Sequence, residues 1–163
     1  MMFYYNKYII TFFLSMAPIS ELRLSLPLAI IKYDIYWLNA VIICIIGNFL
    51  ICVPILYMIS SFEKMAVKHA FIKKLLNFIY NRTRSKSAII NKYKYYGIIL
   101  FVGMPFPFTG AWTGCFASHL FGFSKRKTLL AIILGLIISS FIVVLVTLFF
   151  QNFLTYIGYE NIL

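Results

Sequence analysis

The chain has 163 residues, of which 63% are hydrophobic and 12% are charged, and its mean hydropathy is +0.92. Soluble domains carry about twice that share of charged residues. A soluble fold of this length could not bury so much apolar surface, so the composition predicts an integral membrane protein. It excludes a disordered chain and a disulfide-rich secreted scaffold.

Four apolar blocks follow one another along the chain, at residues 8–31, 37–61, 97–123 and 128–150. The second and fourth blocks are uncharged and long enough to cross a bilayer, since a helical span needs about 20 residues. The first and third are interrupted, because proline removes a backbone donor and clashes with the preceding turn. The predicted structural breaks are Pro18 and Pro27 in the first block and Pro105 and Pro107 in the third.

The charge distribution predicts the topology. Residues 62–96 carry nine basic residues and one acid, which is typical of a cytoplasmic loop. A second basic cluster, Lys125 to Lys127, follows the third block. This cluster stays on the cytoplasmic side only if the third block enters the membrane and returns as a re-entrant hairpin. By the same reasoning the first block is a hairpin that enters from the opposite side.

The predicted fold class is an all-α membrane protein built from two inverted repeats. Each repeat is a re-entrant helical hairpin followed by a transmembrane helix, and residues 1–163 form one integral membrane domain. Opposed repeats of this kind are a common transporter construction. The alternative is four ordinary helices, two of them kinked by proline.

The basic connection has a pattern of its own. Residues 62–80 place apolar side chains on one broad stripe and lysines largely elsewhere, which predicts an interfacial amphipathic helix on anionic lipid. The expected partners are therefore the lipid bilayer and its anionic lipids. The net charge of +11 is explained by these topology signals, so no nucleic acid partner is expected.

The first broken block carries two charges, Glu21 and Arg23. A charged side chain at membrane depth costs about 2.5–3.5 kcal/mol on insertion scales, so it usually faces a cavity or a partner. On an extended turn between two half-helices these side chains would project to the same side. They are the candidate residues for substrate or ion coupling. The alternative is a shallow hairpin whose charges reach the lipid headgroups.

The second broken block offers backbone groups in place of charges. Its Pro-x-Pro sequence forces an extended entry, after which Thr109 can cap a new half-helix. Gly110 and Ala111 allow close approach to a backbone whose free N–H groups and positive dipole end suit an anion. Trp112 is either a lid over this site or an interfacial anchor. The candidate substrate-binding residues are Thr109, Gly110, Ala111 and Trp112.

Enzyme chemistry has little support in this sequence. The chain holds four acids, two histidines and three cysteines, without metal-ligand spacing, a phosphate-binding loop or a hydrolase triad. Cys44 and Cys52 lie in apolar runs, where free cysteine behaves as a small hydrophobe. No catalytic residue, metal or cofactor is predicted.

Three stretches of the sequence resemble the small multi-drug export protein family of bacterial integral membrane proteins. They are PISELRLSLPLAI at 18–30, IGN at 46–48 and FVGMPFPFTGAWTG at 101–114, and the resemblance covers about residues 9–150. A more distant architectural likeness is to the DedA-like membrane proteins, which have two opposed re-entrant hairpins. The second hairpin here carries neither acid nor arginine, unlike the usual DedA pattern.

The resemblance implies a multi-pass transporter of the bacterial inner membrane that exports small molecules. Residue chemistry leaves the substrate open between a small lipophilic molecule and an anionic one. One alternative is a DedA-like flippase of a carrier-lipid phosphate, which Arg23 favours. Another is a membrane organiser or assembly factor that transports nothing. Proton or ion coupling through Glu21, and assembly into a homo-oligomer, are further expectations.

Overall fold

A computed structural model describes residues 2–18, 20–66, 88–106 and 109–157. Within these residues the chain is helical and holds no strand, which confirms the all-α prediction. The α-helices are α1 (Met2–Met16), α2 (Glu21–Pro27), α3 (Trp37–Ala66), α4 (Ala88–Gly103), α5 (Ala111–Leu120) and α6 (Lys125–Tyr156).

Two of the described helices are long and apolar enough to cross a membrane. These candidate spans are Trp37–Ile59 in α3 and Lys125–Phe153 in α6. These spans correspond to the two uncharged blocks. Helix α3 extends beyond its block at the C-terminal end and α6 extends at both ends, because helical hydrogen bonding continues into the neighbouring residues. Many large apolar side chains of α6 are exposed, as expected for a surface that faces lipid.

The first broken block forms α1 and α2, which are separated by a turn at residues 17–20. Pro18 lies in this turn, as predicted. The predicted break at Pro27 is a correction, because the chain stays helical there and α2 continues into a π-helical turn, Leu28–Lys32. Pro27 has no backbone N–H to donate. After it, the helix uses wider hydrogen bonds between residues five apart, such as Tyr33 N–H to Leu28 O at 3.1 Å.

The third block forms the end of α4 and all of α5. Helix α4 begins at Ala88, nine residues before the apolar block, and ends at Gly103. A non-helical segment containing Pro105 follows, and α5 starts at Ala111. The predicted break at Pro107 lies outside the described residues.

The basic connection is described only at its two ends. Residues 62–66 continue α3, and residues 88–96 open α4. Residues 67–87, which hold most of the predicted amphipathic helix, lie outside the described residues.

Two glycines of the long helices, Gly47 and Gly135, allow close contacts between helices. A Cβ at Gly47 of α3 would overlap Ser15 Oγ of α1 and lie 2.9 Å from Phe12 O. A Cβ at Gly135 of α6 would lie 2.6 Å from Val102 Cβ of α4. The backbones of α3 and α6 therefore lie close to the first helix of their own half, α1 and α4 respectively, as small residues permit in membranes.

The short helices connect the two halves. Helix α2 packs against α6, and α5 packs against α3. Buried side chains such as Leu22 and Leu26 of α2, Val102 of α4 and Ile132 of α6 fill the centre. This crossed packing brings the turn after α1 next to the segment before α5.

At one end of the helical body, two lysine ammonium groups lie over aromatic rings. Lys125 Nζ lies 3.6 Å from the ring centre of Tyr57, near the distal part of α3, and Lys94 Nζ lies 5.4 Å from that of Phe121. The start of α6 therefore lies beside the end of α3 from which the basic connection departs.

Candidate functional site

The site is formed by two interruptions in the helical body. In the described part of the chain, the first break is residues 17, 18 and 20, between α1 and α2, and the second break is residues 104–106, 109 and 110, between α4 and α5. They are more than 80 residues apart in the sequence but adjacent in the fold, since side chains from each half contact the other.

Glu21 is the first residue of α2 and is only 8% exposed. Its φ of +38° lies in the left-handed region, which costs a non-glycine residue about 1–3 kcal/mol. A bond from its own N–H to Ala17 O, at 2.9 Å, fixes this conformation. The chain thus holds a buried acid in a strained backbone position at the start of a helix.

The Glu21 carboxylate lies at the N-terminus of α5. Trp112 N–H donates to Oε1 at 3.4 Å, and a Cβ on Gly110 would overlap the carboxylate. Only glycine therefore leaves room for Glu21 at this position. The first turn of α5 has free N–H groups and the positive end of the helix dipole, both of which stabilise a carboxylate.

Arg23 binds the other end of the second break. Its Nη2 donates to Met104 O at 3.0 Å and to Thr109 Oγ1 at 2.9 Å, and its Nη1 donates to Phe106 O. These carbonyls follow the C-terminus of α4, where helical carbonyls lack partners and the dipole is negative. The guanidinium is half-buried, and its fork satisfies several acceptors at once.

Trp112 reaches from the second half to the first. Its indole Nε1–H donates to Met16 O, the last residue of α1, at 3.1 Å. Each break is therefore capped by side chains of the other half. The ring itself is half-buried, and this contact is different from the lid and the interfacial anchor that were expected from the sequence.

Thr109 does not cap α5, which corrects the prediction from the sequence. Its hydroxyl lies 2.8 Å from Met104 O and 3.0 Å from Phe106 O, so it faces back toward α4. The N-cap residue is Gly110, whose N–H donates to Thr113 Oγ1 at 2.8 Å. Thr109 N–H also donates to Phe106 O at 3.3 Å, so this segment turns back toward α4. Thr113, at the third helical position, serves at the start of α5 in its place.

The predicted site residues Glu21, Arg23, Thr109, Gly110, Ala111 and Trp112 are brought together by the fold. Glu21 and Arg23 were expected on an extended turn, but both belong to helix α2. Their side chains reach opposite ends of the second break: the carboxylate reaches the start of α5 and the guanidinium reaches the end of α4.

A buried polar layer lies beneath Glu21. It includes Cys44 and Cys52, which the sequence predicts to pack as small hydrophobic residues. Ser25 Oγ donates to Glu21 O at 2.5 Å and lies 3.3 Å from Cys44 Sγ. Asn48 Nδ2 donates to Cys44 O at 3.2 Å, and Cys52 Sγ donates to Asn48 O at 3.1 Å. The four-residue spacing of 44, 48 and 52, which places them on one face of α3, was the available signal.

A family model described as "Putative small multi-drug export protein" matches residues 21–142, about three-quarters of the chain. The matched range begins at Glu21 and includes the whole second break. No curated protein and no solved structure matches the chain.

Proposed function

Because the chain belongs to the small multi-drug export family, we propose that it exports a small lipophilic substrate across the bacterial inner membrane in exchange for a proton carried by Glu21. An export family and two membrane-capable helices make it a membrane protein. The family is not an enzyme class. The substrate and the coupling are our proposal.

The observation that carries the proposal is the position of the Glu21 carboxylate. Glu21 is the only buried acid among the residues whose side chains are described, and its partners are backbone N–H groups at the start of α5, those of Trp112 at 3.4 Å and of Ala111. Arg23, by contrast, has three oxygen partners. Arg23 is therefore held in place by carbonyl and hydroxyl oxygens, and Glu21 is the acidic group that we assign to the exchange of a proton or a cation.

The orientation of Arg23 also weakens an objection to a cationic substrate. A positive charge beside Glu21 would repel a lipophilic cation. The guanidinium instead donates to Met104 O and Phe106 O, at the negative end of α4. These dipoles offset part of its charge, which leaves the carboxylate as the group that a cation would approach.

We propose two re-entrant hairpins, one formed by α1 and α2 and the other by α4 and α5. With 15 and 16 residues, α1 and α4 are each about 22–24 Å long at the helical rise, less than the hydrocarbon core of about 30 Å. The contact between Lys125 and Tyr57 supports a return of the second hairpin to the cytoplasmic side.

Same-side labelling tests this topology. Cysteines introduced at Ser87 and Ser124, in a chain without its native cysteines, should react together from the cytoplasmic side. Labelling from opposite sides would contradict the hairpin arrangement.

We also propose that the two halves are inverted repeats. The order of one helix, a short helix and a long helix occurs twice. The Gly47 contact with α1 corresponds to the Gly135 contact with α4, and each short helix packs on the opposite long helix. Opposed repeats around a central break are the arrangement that alternating access uses.

The coupling role is tested with Glu21→Gln in reconstituted vesicles. Glutamine keeps the shape of the side chain and an acceptor oxygen but cannot exchange a proton. A quaternary ammonium dye should move with an imposed pH gradient in the wild type and remain at background in Glu21→Gln. Asp34→Asn is the matched control, because Asp34 follows the π turn, outside the two breaks, and has a φ of +48° that asparagine tolerates. Full gradient-driven transport by a folded Glu21→Gln protein would contradict the proposal.

A second candidate is flipping of a carrier-lipid phosphate, and the N-terminus of α5 favours it. This turn already accommodates a carboxylate, that of Glu21, with Arg23 nearby. If Glu21 became neutral and moved away, the same N–H groups could bind a phosphate. The candidates differ in the charge of the substrate.

Arg23 variants separate the two candidates. A polyprenyl-phosphate analogue and the quaternary ammonium dye are assayed in the wild type, Arg23→Lys and Arg23→Ala. A phosphate flippase should carry the analogue, weaken in Arg23→Lys, which loses the two-pronged geometry, and fail in Arg23→Ala. A cation exporter should carry the dye and ignore the analogue. Transport of neither probe would favour a membrane organiser.

We propose that anionic lipids bind the basic residues at the start of α6. Lys125, Arg126 and Lys127 are exposed where α6 begins. Each basic group near an anionic surface contributes about 1 kcal/mol of attraction. Replacing all three by glutamine should reduce retention of phosphatidylglycerol during detergent purification, and unchanged retention would contradict this partner.

A further inference from the structure

Two buried thiols meet across the interface of the two halves. Cys52 of α3 and Cys115 of α5 are both free and fully buried. The two residues are in contact, since Cys115 Sγ lies 4.0 Å from Cys52 O. The export mechanism does not use this pair.

The surroundings of the pair are polar and favour a cation. Asn48 lies one helical turn before Cys52, is fully buried, and has a side-chain oxygen without a hydrogen-bond partner. Cys115 lies about one turn after Ala111 and Trp112, and the Glu21 carboxylate accepts a hydrogen bond from Trp112 N–H at this start of α5. A dithiol, an unpaired amide oxygen and a carboxylate therefore occupy one buried region.

The number of ligands selects the class of ion. Across the described part of the chain, no group of three or more His, Cys, Asp or Glu could hold a metal ion. Zinc, which takes four ligands in structural sites, therefore does not fit. Thiolates prefer soft ions, and monovalent Cu(I) and Ag(I) accept two sulfurs in a linear arrangement.

We propose that Cys52 and Cys115 bind one soft monovalent metal ion between α3 and α5. The site stands on the thiol pair and does not require the proposed export function, although its proton acceptor is the same Glu21 carboxylate. It links the long helix of the first half to the short helix of the second, one turn from the Glu21 contact.

Binding is an exchange of one cation for protons. Both thiols lose their protons, and each sulfur forms one bond to the metal, giving a bis-thiolate complex with a charge of −1. One proton passes to the Glu21 carboxylate and the other leaves to solvent. The buried region then keeps its net charge, since one positive ion enters for each proton released.

The test uses reduced full-length protein in detergent, titrated with silver nitrate in chloride-free buffer. Ag(I) is the probe because it binds as Cu(I) does and is not oxidised by air. The Cys44→Ser variant is the matched background, since it removes the third cysteine, which is equally buried but pairs with Ser25. We expect one tightly bound Ag(I) per chain, with both remaining thiols protected from alkylation.

Substitution of either ligand should remove the site. Cys52→Ser and Cys115→Ser should each bind Ag(I) at least about 100-fold more weakly, because removing even an outer-shell partner costs 10–100-fold. Tight binding that survives in either variant, or no tight ion in the Cys44→Ser protein, would overturn the proposal. The second outcome does not depend on whether the single variants fold.

Proton release tests the role given to Glu21. The Cys44→Ser protein should release one proton for each Ag(I) bound, and addition of Glu21→Gln should raise this number to two. Release of two protons with Glu21 intact would overturn Glu21 as the acceptor. Neither titration involves a membrane gradient, so its failure is distinct from a failure of the export proposal.

Discussion

The two breaks of this chain are unlike in what they contribute. The first break is closed mainly by its own backbone and side chains, with Glu21 N–H bonded to Ala17 O and Ser20 Oγ to Leu14 O. Helix α2, which follows it, carries two charged residues, Glu21 and Arg23, whose side chains reach the second break. The second break has no charged residue and presents the N–H groups of α5 and the carbonyls after α4.

This difference shows how interrupted helices are stabilised in an apolar environment. Each unsatisfied backbone group costs several kcal/mol in a bilayer, so a break must find partners. Here an acid goes to a helix start and an arginine to a helix end, which is the arrangement that the dipoles favour. The first half supplies the charged side chains of Glu21 and Arg23, and the second half supplies the dipoles of α4 and α5. Each set needs the other for its hydrogen-bond partners.

The largest expected effect comes from placing a methyl group between the two breaks. Gly110→Ala puts a Cβ where the Glu21 carboxylate lies and forces it away from α5. We expect loss of transport and a decrease of about 2–3 kcal/mol in the free energy of unfolding, measured by chemical unfolding in detergent.

Gly97→Ala is the control for this substitution. Gly97 lies within α4, and a Cβ added there would meet no atom within 4 Å, so alanine should stabilise the helix by about 0.5–1 kcal/mol. Equal effects of the two substitutions would contradict the contact between Glu21 and α5.

Removing the guanidinium tests the other end of the second break. Arg23→Ala leaves Met104 O and Phe106 O without their donor, and we expect a loss of about 1–2 kcal/mol in unfolding free energy. Arg126→Ala, at an exposed site in α6, should change it by less than about 0.5 kcal/mol. If both substitutions have the same small effect, Arg23 does not stabilise the break.

Substitutions of the two packing glycines, Gly47 and Gly135, compare the stability of helix packing in the two halves. At Gly135 an added methyl meets Val102 Cβ and the Ile99 backbone oxygen, at 2.6 and 2.9 Å, and neither atom can rotate away. At Gly47 an added methyl also meets a backbone oxygen at 2.9 Å, that of Phe12, but its closest atom is the hydroxyl of Ser15, which can turn aside. Gly135→Ala should therefore destabilise the protein by about 1 kcal/mol more than Gly47→Ala. Thermal unfolding of both variants in one detergent decides this, and the reverse order would mean that the halves pack differently.

The smallest expected effect concerns the indole of Trp112. Trp112→Phe keeps an aromatic ring but removes the donor to Met16 O, which should cost about 0.5–1 kcal/mol. Trp37→Phe, at the exposed start of α3, is the control and should be nearly neutral. An unchanged unfolding transition in Trp112→Phe would show that the first break does not need this cap.

Several features of the fold could be predicted from the sequence because they depend on local properties. Apolar runs without charge identified α3 and α6, and Pro18 and Pro105 marked turns because a proline acts on its own backbone. The pattern failed at Pro27, where a helix tolerates proline by changing its hydrogen bonding. It also placed the start of α4 too late, since the helix continues through the polar residues before the apolar block.

The sequence by itself determined that Glu21 and Arg23 need partners, because a charge in an apolar run is costly wherever it lies. Only the tertiary structure decided which partners they have. The partners lie more than 80 residues away and are mostly backbone groups, which every residue possesses and no sequence pattern distinguishes. The same holds for Cys52 and Cys115, which look like ordinary packing residues until α3 and α5 bring them into contact.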